Sequence, residues 1–457
     1  MPRFNFYFIL FATLIYALTA NMTLRDRLLI ATLHRIERNA YFEPTAKELF
    51  EGAMSGMADV LSEEHGDGYT MYIPPSKQAS YQDNLMNRYE GLGISTRIYE
   101  EGEEQKLFIN FPFHNSPAYQ SGLRSGDQIL QIDGLSVADK TNNEILLLLR
   151  QPKGAEMRLS VVPFGQTESQ DVFVRREKFH YDSVVGNYFD SENHVFRLEV
   201  HPKIGYIGIT SFGETTAKEF GNALDSMMQS GVESFILDLR DNPGGDVWNC
   251  VQIAQMLLSS DSEQKIIFTV RPRSGSERSR VFSEGSQRCA LPMAVLINGD
   301  SASASEILAA ALQDHKRATV MGTRSFGKGI IQSIVELPFQ SGILQLTDAE
   351  YRRPSGGAIH RKMTAADSDD WGVIPDKVVE LTEAEELAIT QYRLLRSHVI
   401  SAERLTVLDH FRQQIIEKQE EEEDGKPLEF TGVAPYYDCQ LDEAVRMLLN
   451  RSKTPHQ

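Results

Sequence analysis

The sequence predicts an α/β protein with a small β domain inserted ahead of its core and helical segments at both ends. Three patterns support this prediction. Between about residues 200 and 380, short apolar strands alternate with amphipathic helices. From about residue 90 to 176, short strands are separated by glycine turns, and the flanking segments carry apolar residues at helical spacing. Because strand–turn–helix repeats place functional side chains at strand ends, the core is where we expect a site.

Length and composition narrow the class of protein. With 457 residues the chain should hold two or three domains, and 41% hydrophobic residues suit packed cores. The net charge of −18 argues against a general nucleic-acid binder, which needs a basic surface. Part of that charge lies in the acidic run 417–424, which we interpret as a solvated helix end or loop, with a binding tail as the alternative.

The three cysteines do not form a metal or redox motif. Cys250, Cys289 and Cys439 are far apart in sequence, and an odd number cannot make a closed disulfide framework. We predict structural thiols, with one long-range disulfide left open.

The N-terminus predicts export. Residues 4–20 form an apolar stretch with one asparagine and no charge, between Arg3 and Arg25, which resembles a signal peptide. The stretch is barely long enough to span a bilayer, and Leu18 stands where a cleavage site prefers a small residue, so an uncleaved membrane anchor is the alternative. A buried helix of a cytoplasmic protein is the third interpretation. We expect a periplasmic or other extracytoplasmic location, with membrane contact only if the segment is uncleaved.

The predicted domain boundaries follow the changes in pattern. A linker is predicted at 73–76, helices at 23–65, 382–418 and 438–449, and core strands at 235–239 and 293–297. The predicted regions are a leader at 1–20, a helical region at 21–85, the β domain at 86–178, the α/β core at 179–385 and a helical region at 386–457.

The β domain contains a glycine loop at a recognisable spacing from later turns. Gly91, Leu92, Gly93 and Ile94 precede a Ser-Pro-Ala-(x)3-Gly-Leu-(x)2-Gly-Asp segment that begins at Ser116. This joint spacing resembles a PDZ domain, whose loop N–H groups hold a terminal carboxylate while the bound peptide adds a strand to the sheet. The four loop residues are therefore the predicted peptide-binding residues. The alternative is a small β domain with ordinary turns.

A serine-rich turn and a glycine-framed lysine suggest nucleophilic chemistry. Ser303 lies in a run of small residues that opens an apolar helix, and Lys328 follows between Gly327 and Gly329. This layout is typical of a serine served by a lysine base, which must be desolvated to be neutral at physiological pH. The positive helix end favours negative charge, and the N–H of Ala304 is a natural oxyanion donor.

Both residues have plainer interpretations. Ser303 with Glu306 also fits a capping box, in which each side chain bonds to the other's backbone N–H. Gly322 to Lys328 matches the first positions of a nucleotide-binding P-loop. A P-loop then needs Ser or Thr and a helix, whereas Gly329 and a strand pattern follow here, so we do not favour nucleotide binding.

Further polar and glycine residues are candidates for supporting roles. Gly244 or Gly245, which follow a buried strand, could donate to an oxyanion, although a simple turn is the alternative. Gln332 could fix the lysine amine, and Asp314 could hold a helix end or orient a neighbour, or either could be a surface group. A Ser-His-Asp triad through His315 is not favoured, because adjacent helix residues face apart.

These segments resemble the carboxy-terminal processing peptidases, or tail-specific proteases. The resemblance covers roughly residues 40 to 380 and rests on the segments 301–307, 313–314, 326–329, 332, 239–245, 351–356 and 371–376. It implies a ClpP/crotonase-like protease core with an inserted PDZ domain. It further implies Ser303 as nucleophile, Lys328 as general base with Gln332 as its support, and an oxyanion hole formed by the N–H of Ala304 and of one glycine at 244–245.

The expected function is therefore that of an exported serine endopeptidase that binds protein C-termini through its PDZ domain and cleaves through an acyl-enzyme. No metal, nucleotide or other cofactor is expected, and neither is nucleic acid. A catalytically inactive PDZ-bearing scaffold or adaptor is the alternative. Residues 386–437 depart from the family pattern and residues 70–90 match it loosely, which leaves the oligomeric state open.

Overall fold

A computed structural model of the chain describes residues 23–85, 87–101, 104–150, 154–190, 193–258, 264–273, 279–285, 287–362, 364–366, 368–398 and 438–452. The chain divides into two compact units. The first contains residues up to 79 together with 332–347, and the second contains 80–331 together with 348–457. The predicted leader at 1–20 and the acidic run at 417–424 lie outside the described residues.

The described residues contain ten α-helices and a short 3-10 helix at Pro338–Gln340. The α-helices are α1 (Leu24–Asn39), α2 (Ala46–His65), α3 (Pro75–Leu85), α4 (Pro117–Gln120), α5 (Asn142–Leu149), α6 (Thr216–Gln229), α7 (Val247–Leu258), α8 (Ala304–Asp314), α9 (Glu383–His398) and α10 (Cys439–Ser452).

The same residues contain twenty-one strands. They are β1 (Met71–Ile73), β2 (Arg88–Gly91), β3 (Ile94–Glu101), β4 (Glu104–Pro112), β5 (Gln128–Ile132), β6 (Leu135–Ser136), β7 (Glu156–Val162), β8 (Gln170–Arg175), β9 (Glu177–His180), β10 (Val184–Val185), β11 (Tyr188–Phe189), β12 (His194–Val195), β13 (Ile204–Ile209), β14 (Ser234–Asp238), β15 (Ile266–Pro272), β16 (Ser279–Phe282), β17 (Met293–Ile297), β18 (Thr319–Gly322), β19 (Ile330–Glu336), β20 (Ile343–Arg352) and β21 (Lys377–Val378).

The first unit starts with the predicted helical region, which consists of the two helices α1 and α2. Thr23 and Thr45 open α1 and α2 with capping boxes, and α2 ends at Gly66 in a left-handed conformation. Strand β1 then pairs antiparallel with residues 343–345. The predicted linker at 73–76 is wrong, because β1 extends to Ile73 and α3 begins at Pro75. Proline suits the first position of a helix, where its missing N–H has no intrahelical partner to lose.

The predicted PDZ domain is built on an antiparallel sheet in the second unit. Its strand order is β3-β4-β5-β7-β8, with β6 paired to β5. Apolar side chains that include Leu107, Ile109, Ile129 and Leu159 are fully buried beneath it. The short strands and the single helical turn α4 agree with the sequence-based prediction, and α5 supplies the longer helix of this domain.

The α/β core has a six-stranded sheet in the order β10-β13-β14-β17-β18-β21. All its pairings are parallel except that of β10 with β13. Helices α6, α7 and α8 cover one face, while α10 packs Ala444, Val445 and Leu448 against the other. Because both faces are covered, β14 and β17 are buried along their whole length. The predicted fold class is confirmed.

Two smaller features complete the description. The three cysteines are free thiols, with Cys250 and Cys289 buried, as predicted. No helix within the described ranges is both long and apolar enough to cross a bilayer. The C-terminal helix predicted for 382–418 is described only as α9, which reaches His398; residues 399–437 lie outside the described part.

Candidate active site

Three loops that carry the predicted site residues leave the same edge of the core sheet. Strands β14, β17 and β18 are parallel neighbours, so their carboxyl ends lie side by side. The loops that follow them are residues 239–246, 298–303 and 323–329. Neighbouring strand ends explain how glycines near 245, a serine at 303 and a lysine at 328 converge although they are distant in sequence.

Ser303 has an unusual backbone conformation. It lies at the N-cap of α8 with φ 56° and ψ −114°, in a region that non-glycine residues rarely adopt. The hydroxyls of Ser301 and Ser305 are buried and donate to the carbonyls of Leu239 and Asn242, at 2.8 and 2.9 Å. Ser303 is only partly buried. The structure therefore separates the three serines: two hold the turn together, and the strained Ser303 is the candidate nucleophile.

The carboxylate of Glu306 joins the serine turn to the lysine loop. Its Oε2 accepts the backbone N–H groups of Ser303, at 2.9 Å, and Lys328, at 2.7 Å. Its Oε1 accepts the N–H of Gly327, at 2.7 Å, and the hydroxyl of Ser325, at 2.5 Å. Each oxygen thus receives two donors, which uses the whole acceptor capacity of an ionised carboxylate.

Glu306 is fully buried, and this position has an electrostatic consequence. Burial raises its pKa to about 7, even though the hydrogen bonds from Ser325, Gly327, Ser303 and Lys328 oppose the change. A protonated carboxyl would carry a hydrogen that has to face one of four donors. The hydrogen-bond geometry therefore favours the ionised form, while burial disfavours it more strongly.

The glycines on either side of Lys328 permit close packing of its loop. Gly327 has φ 89°, and a Cβ there would lie 2.7 Å from the Cβ of Arg361. A Cβ on Gly329 would lie 2.3 Å from the backbone N of His360. The N–H of Arg361 also donates to the Gly327 carbonyl at 2.8 Å. The backbone of Lys328 is thus held by segment 359–361 as well as by Glu306.

The lysine loop does not have the architecture of a P-loop. Strand β19 begins at Ile330, two residues after Lys328, where a P-loop needs the N-terminus of a helix. The structure therefore agrees with the sequence-based preference against nucleotide binding at this loop.

Gly244 brings the loop after β14 into contact with the serine turn. It has φ 97°, and a Cβ there would lie 2.7 Å from the carbonyl oxygen of Ala302 and 2.8 Å from the Cβ of Ser303. Both the conformation and the space therefore require glycine at this position. The contact places the loop directly beside the candidate nucleophile.

The structure distinguishes between the two candidate oxyanion glycines. The N–H of Gly244 donates to the side chain of Asn242 at 2.9 Å, and Asn242 itself donates to the Ile209 carbonyl at 2.8 Å. Asn242 thus fixes the loop, and its side chain engages the N–H of Gly244, whereas the N–H of Gly245 is not engaged by it. The N–H groups of Gly245 and Ala304 are the better candidates for an oxyanion hole.

Asp314 and His315 have structural partners away from the serine turn. Asp314 accepts from the guanidinium of Arg353 at 2.6 Å and from the N–H of Ser355 at 2.9 Å. Burial opposes ionisation of Asp314, but these bonds to Arg353 and Ser355 lower its pKa overall. The Nε2 of His315 lies 2.7 Å from the Ile266 carbonyl. Asp314 therefore holds the turn near Ser355, and His315 is engaged outside any serine triad.

Gln332 belongs to the first unit, where it takes part in a short chain of hydrogen bonds. Its amide donates to the hydroxyl of Thr347 at 3.2 Å, and that hydroxyl donates to Asp67 at 2.9 Å. The sequence identified Gln332 but not these partners, which come from distant segments. Its role as a support for the lysine stays a prediction.

The four predicted peptide-binding residues line one cavity of about 500 Å³ in the second unit. A Cβ on Gly93, which has φ 74°, would lie 2.2 Å from the Cβ of Ser116. The hydroxyl of Ser116 donates to the Gly93 carbonyl at 3.0 Å, so the two segments quoted for the PDZ resemblance brace one another.

Sequence reasoning assigned Glu306 only to a capping box. Its carboxylate does accept the Ser303 N–H, but it also holds two backbone N–H groups and a hydroxyl from the lysine loop. The available signal was chemical: Glu306 is an acid in a helix whose following residues, Ile307 to Leu312, are all apolar and buried. A lone acid in such a helix needs internal partners.

Comparisons with known proteins identify the family of the chain. The model of peptidase family S41 matches residues 203–379, and the PDZ domain model matches residues 84–162. A carboxyl-terminal-processing protease of Synechocystis sp. is 34% identical over 68% of this chain and 67% of its own length. One of Bartonella bacilliformis is 30% identical over 89% of this chain and 84% of its own.

Two further relatives have the same kind of name. A carboxy-terminal processing protease of Bacillus subtilis is 32% identical over 73% of this chain, which spans 65% of that protein's length. The solved structure of a photosystem II D1 C-terminal processing protease is 24% identical, covers 79% of this chain and 94% of its own, and has a TM-score of 0.43. The chain belongs to the carboxy-terminal processing proteases of peptidase family S41, a family of serine-type peptidases, and it carries a PDZ domain.

Proposed function

We propose that this protein is an exported serine endopeptidase that binds the C-terminal tails of protein substrates in its PDZ domain and cleaves them with a Ser303/Lys328 dyad. The observation that carries the proposal is the Glu306 carboxylate, which accepts from the backbones of both Ser303 and Lys328. A buried carboxylate that holds the backbones of Ser303 and Lys328 together is expected where the two residues must act together. A catalytic dyad has this requirement.

The proposed chemistry balances its protons within the dyad. The neutral amine of Lys328 takes the hydroxyl proton of Ser303 as the Ser303 Oγ bonds to the substrate carbonyl carbon. Negative charge develops on the carbonyl oxygen, which the N–H groups of Ala304 and Gly245 would stabilise. Lys328 then gives the proton to the leaving amine, and an ester to Ser303 remains.

Hydrolysis of this ester repeats the same steps with water. Lys328 takes a proton from water as the water oxygen attacks the ester carbon, and it returns the proton to the Ser303 oxygen as that oxygen leaves. The strained backbone of Ser303 supports this role, because unfavourable backbone conformations persist mainly at functional sites.

Tail binding is proposed for the cavity beside Gly91. A protein C-terminus is an extended strand that ends in a carboxylate, and successive N–H groups of a glycine loop suit that group. Leu146 and Leu149 of α5 line the same cavity and would contact apolar side chains of the tail. The proposal therefore specifies a free carboxylate and apolar residues near the C-terminus of the substrate.

Export is proposed from the apolar stretch at residues 4–20. Expressed at full length in a bacterial host, the protein should be recovered outside the cytoplasm with its N-terminus near residue 21. N-terminal sequencing and cell fractionation provide the measurement. A full-length membrane-bound product would indicate an anchor, and a full-length cytoplasmic product would contradict export.

The proposed nucleophile can be tested with a β-lactone probe that acylates activated serines. We expect covalent labelling of the wild-type protein, with the added mass located by peptide mass spectrometry on the fragment that contains Ser303. The Ser303→Ala variant should not be labelled, because the hydroxyl that forms the ester is gone.

The other outcomes are informative. Equal labelling of both proteins would identify another nucleophile and contradict the proposed dyad. If the wild-type protein stays unlabelled and also fails to cleave a loosely folded protein with an apolar C-terminus, the inactive scaffold becomes the better interpretation.

A further inference from the structure

The cavity that contains the glycine loop is not enclosed by the PDZ domain alone. Besides Gly91 to Ile94 and residues of α5, its lining includes Leu394 and His398 of α9. These two side chains lie one helical turn apart, on the same face of α9. They lie beyond both matched regions, which end at residues 162 and 379. A segment from the C-terminal part of the chain therefore completes the wall of the cavity.

Helix α9 is packed firmly against the PDZ domain. The imidazole of His398 stacks on the ring of Phe111, with 4.3 Å between ring centroids, and lies nearly perpendicular to the ring of Phe113, with 5.7 Å between centroids. Leu395 is buried against the same two phenylalanines. The Nδ1 of His398 also lies 2.9 Å from the Leu394 carbonyl, which restrains the ring. These contacts fix the orientation of the α9 face that borders the cavity.

The same helix is tied to the α/β core by charged side chains. The guanidinium of Arg393 donates to Asp241 at 2.9 Å, and Asp241 belongs to the loop that contains Gly244. Arg396 donates to the Asn187 carbonyl at 3.1 Å and to Glu199 at 2.5 Å. Because α9 is held on both sides, Leu394 and His398 form a preorganised surface rather than a mobile tail.

We propose that α9 is the outer wall of the tail-binding groove, and that Leu394 and His398 are specificity residues that contact the apolar side chains near the C-terminus of the substrate. The inference rests on the proposed function, because it assigns the same cavity to the same ligand. The occupant is one extended protein tail with a free carboxylate. Neither residue belongs to the PDZ domain.

The chemistry of the lining suits this occupant. Leu146 and Leu149 on α5 and Leu394 on α9 supply aliphatic surface, and further surface comes from aromatic side chains. Arg150 brings positive charge to the lining for the carboxylate, whereas Glu90 and Asp182 disfavour tails with acidic side chains. A tail with apolar residues before its carboxylate would therefore bind best.

Peptide binding to the full chain tests the proposal. The Ser303→Ala protein serves as the parent so that the peptide is not cleaved, and a fluorescent peptide with an apolar C-terminus reports binding by anisotropy. Leu394→Ala and His398→Ala should each weaken binding by about 5- to 30-fold, because each removes apolar contact area. Leu387→Ala is the matched control: Leu387 is also an exposed leucine of α9, but it does not line the cavity.

A second measurement distinguishes a change in tail specificity from a general destabilisation of the protein. Truncation of Leu394 enlarges the groove, so the preference for a tail ending in alanine over one ending in phenylalanine should shift toward phenylalanine. A variant that merely destabilises the protein would weaken both tails alike. Thermal melting confirms that each variant is folded, and an amidated peptide shows how much binding depends on the carboxylate.

The outcomes distinguish this inference from the function on which it rests. If the parent binds no peptide, tail binding itself fails. If Leu146→Ala weakens binding while Leu394→Ala and His398→Ala leave affinity and preference unchanged, tail binding stands and the role of α9 is overturned. If both α9 variants weaken binding and Leu394→Ala also shifts the preference, the inference is supported.

Discussion

Replacement of Lys328 with alanine is expected to lower kcat/KM for protein cleavage by at least about 10⁴-fold, because the base that removes the Ser303 proton is lost. Ser303→Ala should lower it by a similar factor. The double variant should be no worse than either single variant, because the two residues act as one unit. Cleavage of a loosely folded protein with an apolar C-terminus, followed by mass spectrometry of the products, provides the measurement.

Lys328→Arg separates a base from a mere positive charge. Arginine keeps the charge but does not deprotonate in this pH range, so this variant should be as inactive as Lys328→Ala. Lys203→Arg is the matched control, because the Lys203 side chain is 67% exposed and pairs with Glu233 at the surface. It should retain full activity. Activity in Lys328→Arg would contradict the base role, and equal cleavage by all variants would indicate another nucleophile or a contaminant.

The pH dependence gives an independent test of the dyad. Lys328 must be neutral to accept a proton, so the rate should rise with pH as its ammonium deprotonates. A rate that stays flat from about pH 5 to 9, with chemistry limiting, would contradict a lysine base.

The parts of the fold that sequence predicts well depend on local patterns. Strand β17 has the bounds that its apolar run indicated, and β14 differs from its predicted bounds by one residue at each end. Strands β14 and β17 were also expected to be buried, and parallel pairing then brings their following loops to one edge. The location of a site near Ser303 follows from these local features.

Contacts between distant segments were not predictable in this way. Ser303 and Glu306 are three residues apart, a spacing that is typical of a helix start. The bonds that Gly327 and Lys328 donate to Glu306 instead connect residues more than twenty positions apart in sequence. No spacing rule connects them, because they arise from the pairing of β17 with β18. The partners of Gln332 and the position of α9 beside the PDZ cavity depend on packing in the same way.

One local prediction failed for a different reason. Residues 73–76 contain two prolines and looked like a linker, yet Pro75 opens α3. Proline breaks the interior of a helix but suits its first turn, so the same residue is consistent with a linker or with the start of a helix. Helical spacing after residue 76 is weak, and the sequence alone did not decide between them.

Glu306→Gln is expected to lower kcat by about 10- to 100-fold while the protein stays folded. The amide of glutamine offers one acceptor oxygen and one NH2 group. Whichever way it is turned, the NH2 group faces donors that the carboxylate accepted, so at least one of the N–H groups of Ser303, Gly327 or Lys328 loses its partner. The serine turn and the lysine loop are then expected to move apart, so that the reacting atoms of Ser303 and Lys328 are no longer aligned.

The pH profile shows whether Glu306 positions the dyad through its charge. In the wild type, both Lys328 and Glu306, whose pKa burial raises to about 7, must lose a proton for activity. The acid limb of log kcat against pH should therefore approach a slope of about two, and Glu306→Gln should reduce it to about one. An unchanged slope would mean that ionisation of Glu306 is not required.

Stability should change with pH in a direction set by the same group. The folded-state pKa of Glu306, about 7, lies above its usual value of 4.5, so its contribution to stability is complete below about pH 4.5 and is lost as pH rises through 7. The loss amounts to about 3 kcal/mol, because each pKa unit corresponds to about 1.4 kcal/mol. Glu306→Gln lacks this dependence. The difference in unfolding free energy between variant and wild type, measured by urea titration, should therefore move in favour of the variant from pH 5 to 8.

Glu219 supplies the control, because it is a largely buried carboxylate whose pKa is shifted in the opposite direction. Burial opposes its ionisation, but hydrogen bonds from His180, Thr215 and Ser183 lower its pKa to about 2. Its stabilising contribution is present above its usual pKa of 4.5 and is lost only as pH falls toward 2. Glu219→Gln should thus destabilise the protein between about pH 5 and 8, by less at the upper end because the bond to Glu219 also raises the pKa of His180. The variant should leave the slope of the acid limb unchanged. If Glu306→Gln, like Glu219→Gln, left the slope of the acid limb unchanged, Glu306 would be a structural acid, and the junction between the serine turn and the lysine loop would not depend on its charge.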